Sequence, residues 1–326
     1  MQMALEQHFI KGIYYEFKST ISSAHCVIFF IFFSLHFHAN STNNPPDKNL
    51  TEKEKSSLKL IQELEKFGRR ELKLKLHQHF YTQWQEIEQK NTYVYISRSD
   101  SIVLPHKSGA FQFFGTDTLA AKTAADSCKM AGLDVLIYQT SGNSAVRLTH
   151  RLLNYPEEAI VFIVLHEMAH VHSNQKKLKI PYSSEESFGD FLGNIVGEFF
   201  VRKYHPEFLA DFIKQKEKHE ALYRLFEYVE KHAQGVSDLK KRDIYDSAQN
   251  QLATIIHSAN AFQHDRFLYT MNHAYILRNR FYYKWYFDFK CVYNTYKIGK
   301  ELAFFYSHIP QKESDLKHLL TTFCNQ

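Results

Sequence analysis

Two histidines and a glutamate near the middle of the chain have the types and the spacing of a metal site. The segment "VLHEMAHVH" spans residues 164–172 and contains His166, Glu167 and His170. On a helix, His166 and His170 lie one turn apart on one face, so both imidazoles can reach a single Zn²⁺ ion. Glu167 can then take a proton from a water on the metal as that water attacks a carbonyl, and pass it to the leaving amine. The spacing therefore predicts zinc-dependent peptide hydrolysis with Glu167 as the general base.

The residues around this motif favour a helix that enters the protein core. Asn154, Pro156 and two glutamates precede it and are favourable at a helix start. Residues 161–165 are all apolar, so the histidines enter a buried helix, where ionisable groups are costly unless they are paired or bind a metal. Because the chain has 19 His in 326 residues, this spacing can also arise by chance. The alternative is a helix with two hydrogen-bonded core histidines and no metal.

A hydrolytic zinc site needs a third protein ligand besides water. The metzincin arrangement is excluded, because Lys176 stands where its third histidine would fall and Ser173 replaces its glycine. His172 is too close to His170 on the helix to share its face, and we expect it to support the site from behind or to lie at the surface.

A second predicted helix, "PYSSEESFGDFLGNIVGEFF" at residues 181–200, offers the missing carboxylate. Glu186 and Asp190 lie one turn apart on it. Each helical glycine costs about 1 kcal/mol relative to alanine, so a glycine stripe on one side indicates close packing against another helix, here the motif helix. Such packing places Glu186 on the zinc and lets Asp190 hydrogen-bond a ligand histidine. The stripe consists of Gly189, Gly193 and Gly197.

A local explanation competes for Glu186. Ser183 and Glu186 are three residues apart at the predicted helix start, which is the pattern of a capping box. We favour metal ligation, because two histidines need a third protein ligand and this helix offers a carboxylate in the right neighbourhood.

The elements that position these residues predict an α+β fold. Beyond Tyr155 the chain is helical almost to its end, so a small N-terminal β-sheet with helices precedes a long, mostly helical C-terminal half. The patterns predict one or two helices over residues 50–89, one or two strands over 92–105, a capped helix over 116–132 and a strand over 133–141.

The N-terminal residues predict targeting. We divide the chain into a leader (1–24), a signal peptide or membrane anchor (25–38), a polar linker (39–49) and one metallopeptidase domain (50–326). The run "CVIFFIFFSLHF" has the length of a signal-peptide core and is short for a transmembrane helix; a buried helix is the alternative. We expect an exported protein, periplasmic, extracellular or membrane-anchored, with residues 25–38 as the point of membrane attachment.

Composition excludes several other classes. With 44% hydrophobic and 23% charged residues the chain is globular. The net charge of +5 is spread along the sequence, so no nucleic-acid partner is expected. The four cysteines form no C-x-x-C pair, and the three beyond the export segment allow at most one disulfide.

Several segments together resemble a family. "GLDVLIYQTSGNS", "LLNYPEEAIVFIVLHEMAHVHSNQ" and "EESFGDFLG" are similar to the bacterial "putative zinc aminopeptidase" family of the gluzincin type, over roughly residues 110–310. The resemblance implies a gluzincin-like pair of zinc helices and a peptide substrate. It makes His166, His170 and Glu186 the ligands of one Zn²⁺ per chain and Glu167 the general base.

A C-terminal segment extends the resemblance. "MNHAYILRNRFYYKWYFDF" is similar to the family's N-N-A segment through Asn272 and Ala274, and Asn272, His273 and Tyr275 are candidates for oxyanion or substrate contacts. The sequence departs from the family at "GNSAVRL", just before the motif helix, and at Glu185, where the family has Asn. These departures keep a second hypothesis open, an exported or membrane-tethered protein that binds zinc without turnover.

Overall fold

The computed structural model describes residues 50–85, 90–99, 111–140, 147–257, 271–296 and 302–324. Within these stretches, no helix is both long and apolar enough to cross a bilayer. The predicted leader, targeting segment and linker all fall in residues 1–49 and therefore lie outside the described residues. Their boundaries stay predictions.

The first helix, α1 (Glu52–Arg70), begins with a capping box between Thr51 and Glu54. It ends well before Gln89, so the sequence-based prediction of helix up to that residue was wrong. The cause lies in "LKLKL", in which alternate leucines are buried as in an extended chain. The guanidinium of Arg69 donates to the carbonyl oxygens of Leu76 and His77 and ties this extended segment to the end of α1.

A three-stranded antiparallel sheet follows, with the strand order β2-β1-β3. Its strands are β1 (Asn91–Arg98), β2 (Phe111–Gly115) and β3 (Leu133–Thr140), and β2 was not predicted. Helix α2 (Thr118–Met130) begins at Asp117, whose side chain accepts from the Ala120 N–H, and is followed by Gly132 with a positive φ of 77°. The prediction of a capped helix before a strand is thus confirmed.

The two faces of the sheet pack against different parts of the protein. Val94 and Ile96 of β1 join Ala121 and Ala125 of α2 in a small separate core. Because side chains alternate along a strand, Tyr95 lies on the opposite face, in the main core. The sheet therefore presents tyrosines to the helical half of the molecule, in which the metal-site motif lies.

Helices make up nearly all of the described chain after residue 150, as the sequence predicted, and the fold is α+β. The helices are α3 (His150–Leu153), α4 (Glu157–Lys176), α5 (Tyr182–Phe191), α6 (Gly197–Tyr204), α7 (Leu209–His232), α8 (Asp238–His257), α9 (His273–Tyr283), α10 (Tyr286–Tyr296), α11 (Leu302–Ser307) and α12 (Glu313–Cys324). A π-helical turn, Leu192–Val196, joins α5 to α6, and a 3₁₀ turn, Pro206–Phe208, precedes α7.

Helix α4 carries the predicted metal-binding motif through the middle of the main core. Ile160, Val161, Val164 and Leu165 are fully buried within it, and helices α1, α5 and α7 pack around it. A helix that is apolar on most sides is stable only when it is enclosed in this way. The motif residues are therefore held on a helix that the core fixes from several directions.

A disulfide joins α10 to α12 through Cys291 and Cys324. Cys128, on α2, is buried in the small core between that helix and the sheet. The sequence predicted at most one disulfide without naming its partners, and the fold pairs the two cysteines that are nearest the C-terminus.

Candidate metal centre

The segment from α5 to α6 lies directly against α4, because three glycines on the side that faces α4 have no side chains. A Cβ atom added at Gly189 would stand 2.8 Å from Nδ1 of His166, and one at Gly193 would stand 2.5 Å from the ring of Phe162. A Cβ atom at Gly197 would meet Phe212 and Val161. The predicted packing of the glycine stripe against the motif helix is confirmed.

This close packing brings His166, His170 and Glu186 together. Nε2 of His166 lies 3.1 Å from Nε2 of His170, and Oε2 of Glu186 lies 3.4 Å from the first nitrogen and 3.7 Å from the second. Ligands of a tetrahedral zinc site, with bonds of about 2.0–2.2 Å, stand about 3.3 Å apart. The three atoms thus converge on one point at the spacing that Zn²⁺ requires, and two imidazoles with a carboxylate are a donor set that zinc accepts.

Electrostatics within this cluster favour its charged forms. Burial alone would lower the pKa of His166, but the contacts with Asp190 and Glu186 raise it to about 9. Burial likewise opposes ionisation of Glu186, yet His170 and His166 hold its pKa well below the usual value. The cluster is therefore a site of strong attraction between opposite charges in an enclosed environment, where such charges need partners.

The second ring nitrogen of each histidine faces a carboxylate. Nδ1 of His166 lies 2.7 Å from Oδ1 of Asp190, and Nδ1 of His170 lies 3.4 Å from Oε1 of Glu185. Asp190 is buried and accepts a second contact from the hydroxyl of Tyr223 on α7. Carboxylates in this position orient a ligand imidazole and make it more basic.

Glu167 follows His166 on α4 and is half-buried. Its charge contributes to raising the pKa values of His170 and Tyr81, so the carboxylate lies within electrostatic reach of the cluster. Burial disfavours the charged forms of His170 and Tyr81, and it affects each pKa more than the charge of Glu167 does. The half-buried Glu167 thus lies near the cluster of His166, His170 and Glu186.

Asn272, His273 and Tyr275, predicted as oxyanion or substrate contacts, make contacts that join α9 to the rest of the fold. Asn272 caps the helix by accepting from the Tyr275 N–H, and its amide donates to the Val135 carbonyl oxygen, 3.2 Å away. The buried His273 donates its backbone N–H to Asp134, with an N–O distance of 2.8 Å. Tyr275 is buried with its ring edge-on to Phe226. These contacts dock the start of α9 on strand β3, and none of them involves a cluster ligand.

Two sequence-based interpretations, of His172 and of a capping box at Ser183, need correction. His172 supports no ligand and is not at the surface: it is fully buried, and its Nδ1 accepts from the Lys75 N–H, 2.7 Å away. The capping box at Ser183 and Glu186 does not form, because α5 begins one residue earlier, at Tyr182, and Ser183 donates to Glu313 on α12. Glu186 is therefore available to the cluster.

Sequence reasoning missed the aromatic side of the site. The ring of Tyr282, from α9, lies 6.3 Å from the His166 ring at an interplanar angle of 29°. Tyr182, at the start of α5, contacts Phe111 of β2, and Phe111 contacts Tyr95 of β1. The only sequence signal was the high tyrosine content of these segments, which does not single out these positions.

Comparisons with known proteins assign the chain to one family. No curated protein and no solved structure matches the chain. A family model does match, over residues 43–318, a range that contains the cluster of His166, His170 and Glu186, the sheet and the docked helix α9. By this match, which covers most of its length, the chain belongs to the family described as "Putative aminopeptidase".

Proposed function

We propose that this protein is a zinc-dependent peptidase whose metal ligands are His166, His170 and Glu186. The observation that carries the proposal is the convergence of three ligand atoms, all within 4.8 Å of one another, on one side of two packed helices. Membership of an aminopeptidase family supports peptides as the substrates and aminopeptidase as the reaction class. The gluzincin type rests on the two histidines on one helix and the glutamate on the next.

Zinc, when bound here, would polarise the substrate carbonyl and make water more acidic. The chain supplies the rest of the chemistry. Glu167 accepts the proton of the attacking water at its carboxylate and delivers it to the amine that leaves. Asp190 holds the imidazole of His166 in orientation through Nδ1, and Tyr223 holds Asp190 from behind. Closely packed side chains around the cluster strengthen each of these electrostatic contacts.

The alternative, zinc held without turnover, would be favoured by a fourth protein ligand that closes the metal site. Among the described residues three side chains group as ligands, and Glu185 faces the opposite nitrogen of His170. This arrangement supports an enzyme, because a site with three protein ligands keeps a position for water.

We also propose that the protein acts outside the cytoplasm. Residues 25–38 have the pattern of a signal peptide or membrane anchor. The pairing of Cys291 with Cys324 adds support, since structural disulfides persist in oxidising compartments. Whether residues 25–38 are cleaved or retained decides between a free and an anchored protein.

Metal content and hydrolysis together test the peptidase proposal. Purified protein should contain about one zinc per chain, hydrolyse a mixed peptide library, lose activity with a chelator and regain it with added zinc. Glu186→Ala should retain much less zinc, whereas Glu207→Ala, at an exposed position away from the cluster, should match the wild type. Wild type that holds no zinc after refolding with the metal would overturn the proposal, and zinc without hydrolysis would favour the binding protein.

A further inference from the structure

Arg278 on α9 is a buried guanidinium that has no acidic partner among the described residues. The residue is 6% exposed, and its enclosed Nε atom has no hydrogen-bond acceptor in the described part of the chain. Its one hydrogen bond to a described residue runs from Nη1 to Oδ1 of Asn279, at 2.9 Å. A guanidinium carries five N–H donors, so most of its donor capacity is unused.

Two other basic side chains of the C-terminal helices, Arg280 and Lys290, are paired with acids. Arg280, two residues along the same helix, lies 2.9 Å from Glu230, and Lys290 lies 2.6 Å from Glu220. Both of these bases are more exposed than Arg278. A buried charge is costly unless it is compensated, so the most enclosed of the three has the least compensation.

Two aromatic rings hold the guanidinium in place. Its central carbon lies 4.3 Å from the ring centroid of Tyr138 on β3 and 4.9 Å from that of Tyr282 on α9. Such cation–π contacts stabilise the charge by less than the desolvation of an arginine costs. The rings orient the planar group, and its unused N–H donors remain suited to a bidentate contact with a carboxylate.

The same ring of Tyr282 connects Arg278 to the metal-ligand cluster. The guanidinium carbon of Arg278 lies 4.9 Å from the centroid of the Tyr282 ring, and this centroid lies 6.3 Å from that of the His166 ring. Because an extended peptide rises about 3.3 Å per residue, a stretch of about three residues spans the distance from the His166 ring to the guanidinium. The pKa of Tyr95 also links the two groups. Burial raises this pKa, the charge of Arg278 lowers it and the charge of Glu186 raises it, so the Tyr95 hydroxyl lies within electrostatic reach of both charges.

We propose that Arg278 is the anion-recognition residue of the peptide site and that it selects substrates carrying a carboxylate close to the scissile bond. The selection of substrates by Arg278 rests on the proposed peptidase function, whereas the binding of a carboxylate by Arg278 does not. Two sources can supply the carboxylate: an acidic side chain of the peptide or its C-terminal group. The chemistry of recognition is the same for both.

Paired peptides test the proposal with the zinc-loaded full chain. One set consists of hexapeptide amides with a single Glu at each position in turn, each matched to its Gln counterpart. A second pair compares a peptide with a free C-terminal carboxylate to its amide. Hydrolysis gives kcat and KM, and calorimetric titration of the Glu167→Gln protein gives Kd without turnover. The proteins compared are wild type, Arg278→Gln, Arg278→Lys and, as the matched control on the same helix, Arg280→Gln.

We expect wild type to prefer one carboxylate peptide over its neutral partner by at least tenfold in KM and Kd, the size of a charge-assisted contact. Arg278→Gln should lose that preference while keeping its zinc content, Arg278→Lys should retain part of it, and Arg280→Gln should retain it fully. A preference at a Glu position assigns a side-chain carboxylate, and one confined to the free acid assigns the C-terminus.

Three results would overturn the role of Arg278: no discrimination by wild type, discrimination that survives Arg278→Gln, or an equal loss of kcat on all peptides in that variant. The last result would indicate a contribution to the transition state or to folding. A wild type that hydrolyses nothing refutes the peptidase proposal instead, and the calorimetric comparison still decides whether Arg278 recognises carboxylates.

Discussion

The Nδ1 atom of His166 lies 2.7 Å from Oδ1 of Asp190, and the other carboxylate oxygen of Asp190 accepts from Tyr223. Helices α4, α5 and α7 each supply one of these three residues. A ligand imidazole is thereby fixed by a carboxylate that is itself fixed from a third helix. The orientation of His166 depends on all three helices being packed in place.

Replacing Asp190 with Asn should weaken zinc binding about 10–100-fold. The amide is neutral and no longer stabilises the imidazole as a basic ligand. Competition with a chromogenic zinc chelator measures the change. Asp126→Asn, on the exposed part of α2, is the control and should bind zinc as wild type does. Equal zinc affinity in Asp190→Asn and wild type would show that this contact does not support the ligand.

Replacing Glu167 with Gln should leave zinc content unchanged and lower kcat/KM by about 10²–10⁴-fold. The amide has nearly the shape of the carboxylate but cannot accept the proton of the attacking water. Parallel zinc analysis and peptide hydrolysis measure the two properties. A Glu167→Gln protein that keeps full activity would refute the role of Glu167 as the general base.

Replacing Gly189 with Ala should reduce zinc affinity, because the new Cβ atom would lie 2.8 Å from Nδ1 and 2.9 Å from Cε1 of His166. Alanine favours a helix by about 1 kcal/mol, but overpacking costs about 1–3 kcal/mol and moves the ring. Gly193→Ala is the matched control, since its Cβ atom meets Phe162 and no ligand. We expect both variants to lose thermal stability and Gly189→Ala alone to lose zinc affinity more than threefold.

Glu54 should stabilise the fold in a pH-dependent manner. Burial opposes ionisation of this 3% exposed residue, but His150, Thr51 and Asn154 outweigh it and lower its pKa to about 2. A depressed carboxyl pKa stabilises the fold above the unfolded value of about 4.5, and the contribution is lost as the pH falls from there through about 2. The contribution at neutral pH amounts to at most about 3 kcal/mol.

Urea unfolding of wild type and Glu54→Gln between pH 7 and pH 2 measures this contribution. The difference in unfolding free energy should be largest above pH 5 and should shrink steadily below it. Glu52→Gln, on the exposed side of the same helix, should show little difference at any pH. A gap between wild type and Glu54→Gln that does not change with pH would assign the effect to packing.

Reduction of the Cys291–Cys324 disulfide should lower the unfolding free energy by about 2–4 kcal/mol, because the bond restricts the unfolded chain. Thiol titration in denaturant should detect two more thiols after reduction than before it. The Cys291→Ser, Cys324→Ser double variant should resemble the reduced protein and should not respond to reductant. Equal thiol counts before and after reduction would show that the pair is not formed.

Local patterns in the sequence predicted much of the fold and part of the candidate site. Apolar spacing placed His166 and His170 on one face of a helix, and the caps Asp117 and Gly132 bounded α2. The glycine stripe predicted which helix would lie against the motif. Each of these signals acts between residues within a turn or two of one another, where backbone geometry alone sets the spacing.

The wrong predictions have causes that lie in long-range contacts. The predicted helix was extended beyond Arg70 because the segment is rich in helix-forming residues. The alternate burial of Leu72, Leu74 and Leu76 depends on contacts with distant parts of the chain. Strand β2 was missed because "FQFFG" is short and gains its hydrogen bonds only from β1. The role of His273 in substrate or oxyanion contact stays a prediction, and its backbone N–H docks α9 on Asp134.

The sequence by itself determined that two imidazoles and a carboxylate would be presented by two helices with a close-packing stripe, and that an α+β fold would carry them. The tertiary structure alone decided which side chains complete the site. Tyr223 reaches Asp190 from α7, and the ring of Tyr282, against which Arg278 packs, lies beside His166 from α9, more than 100 residues beyond the motif. Helical periodicity is a property of neighbouring residues, while contacts between distant helices depend on how all of their faces pack at once.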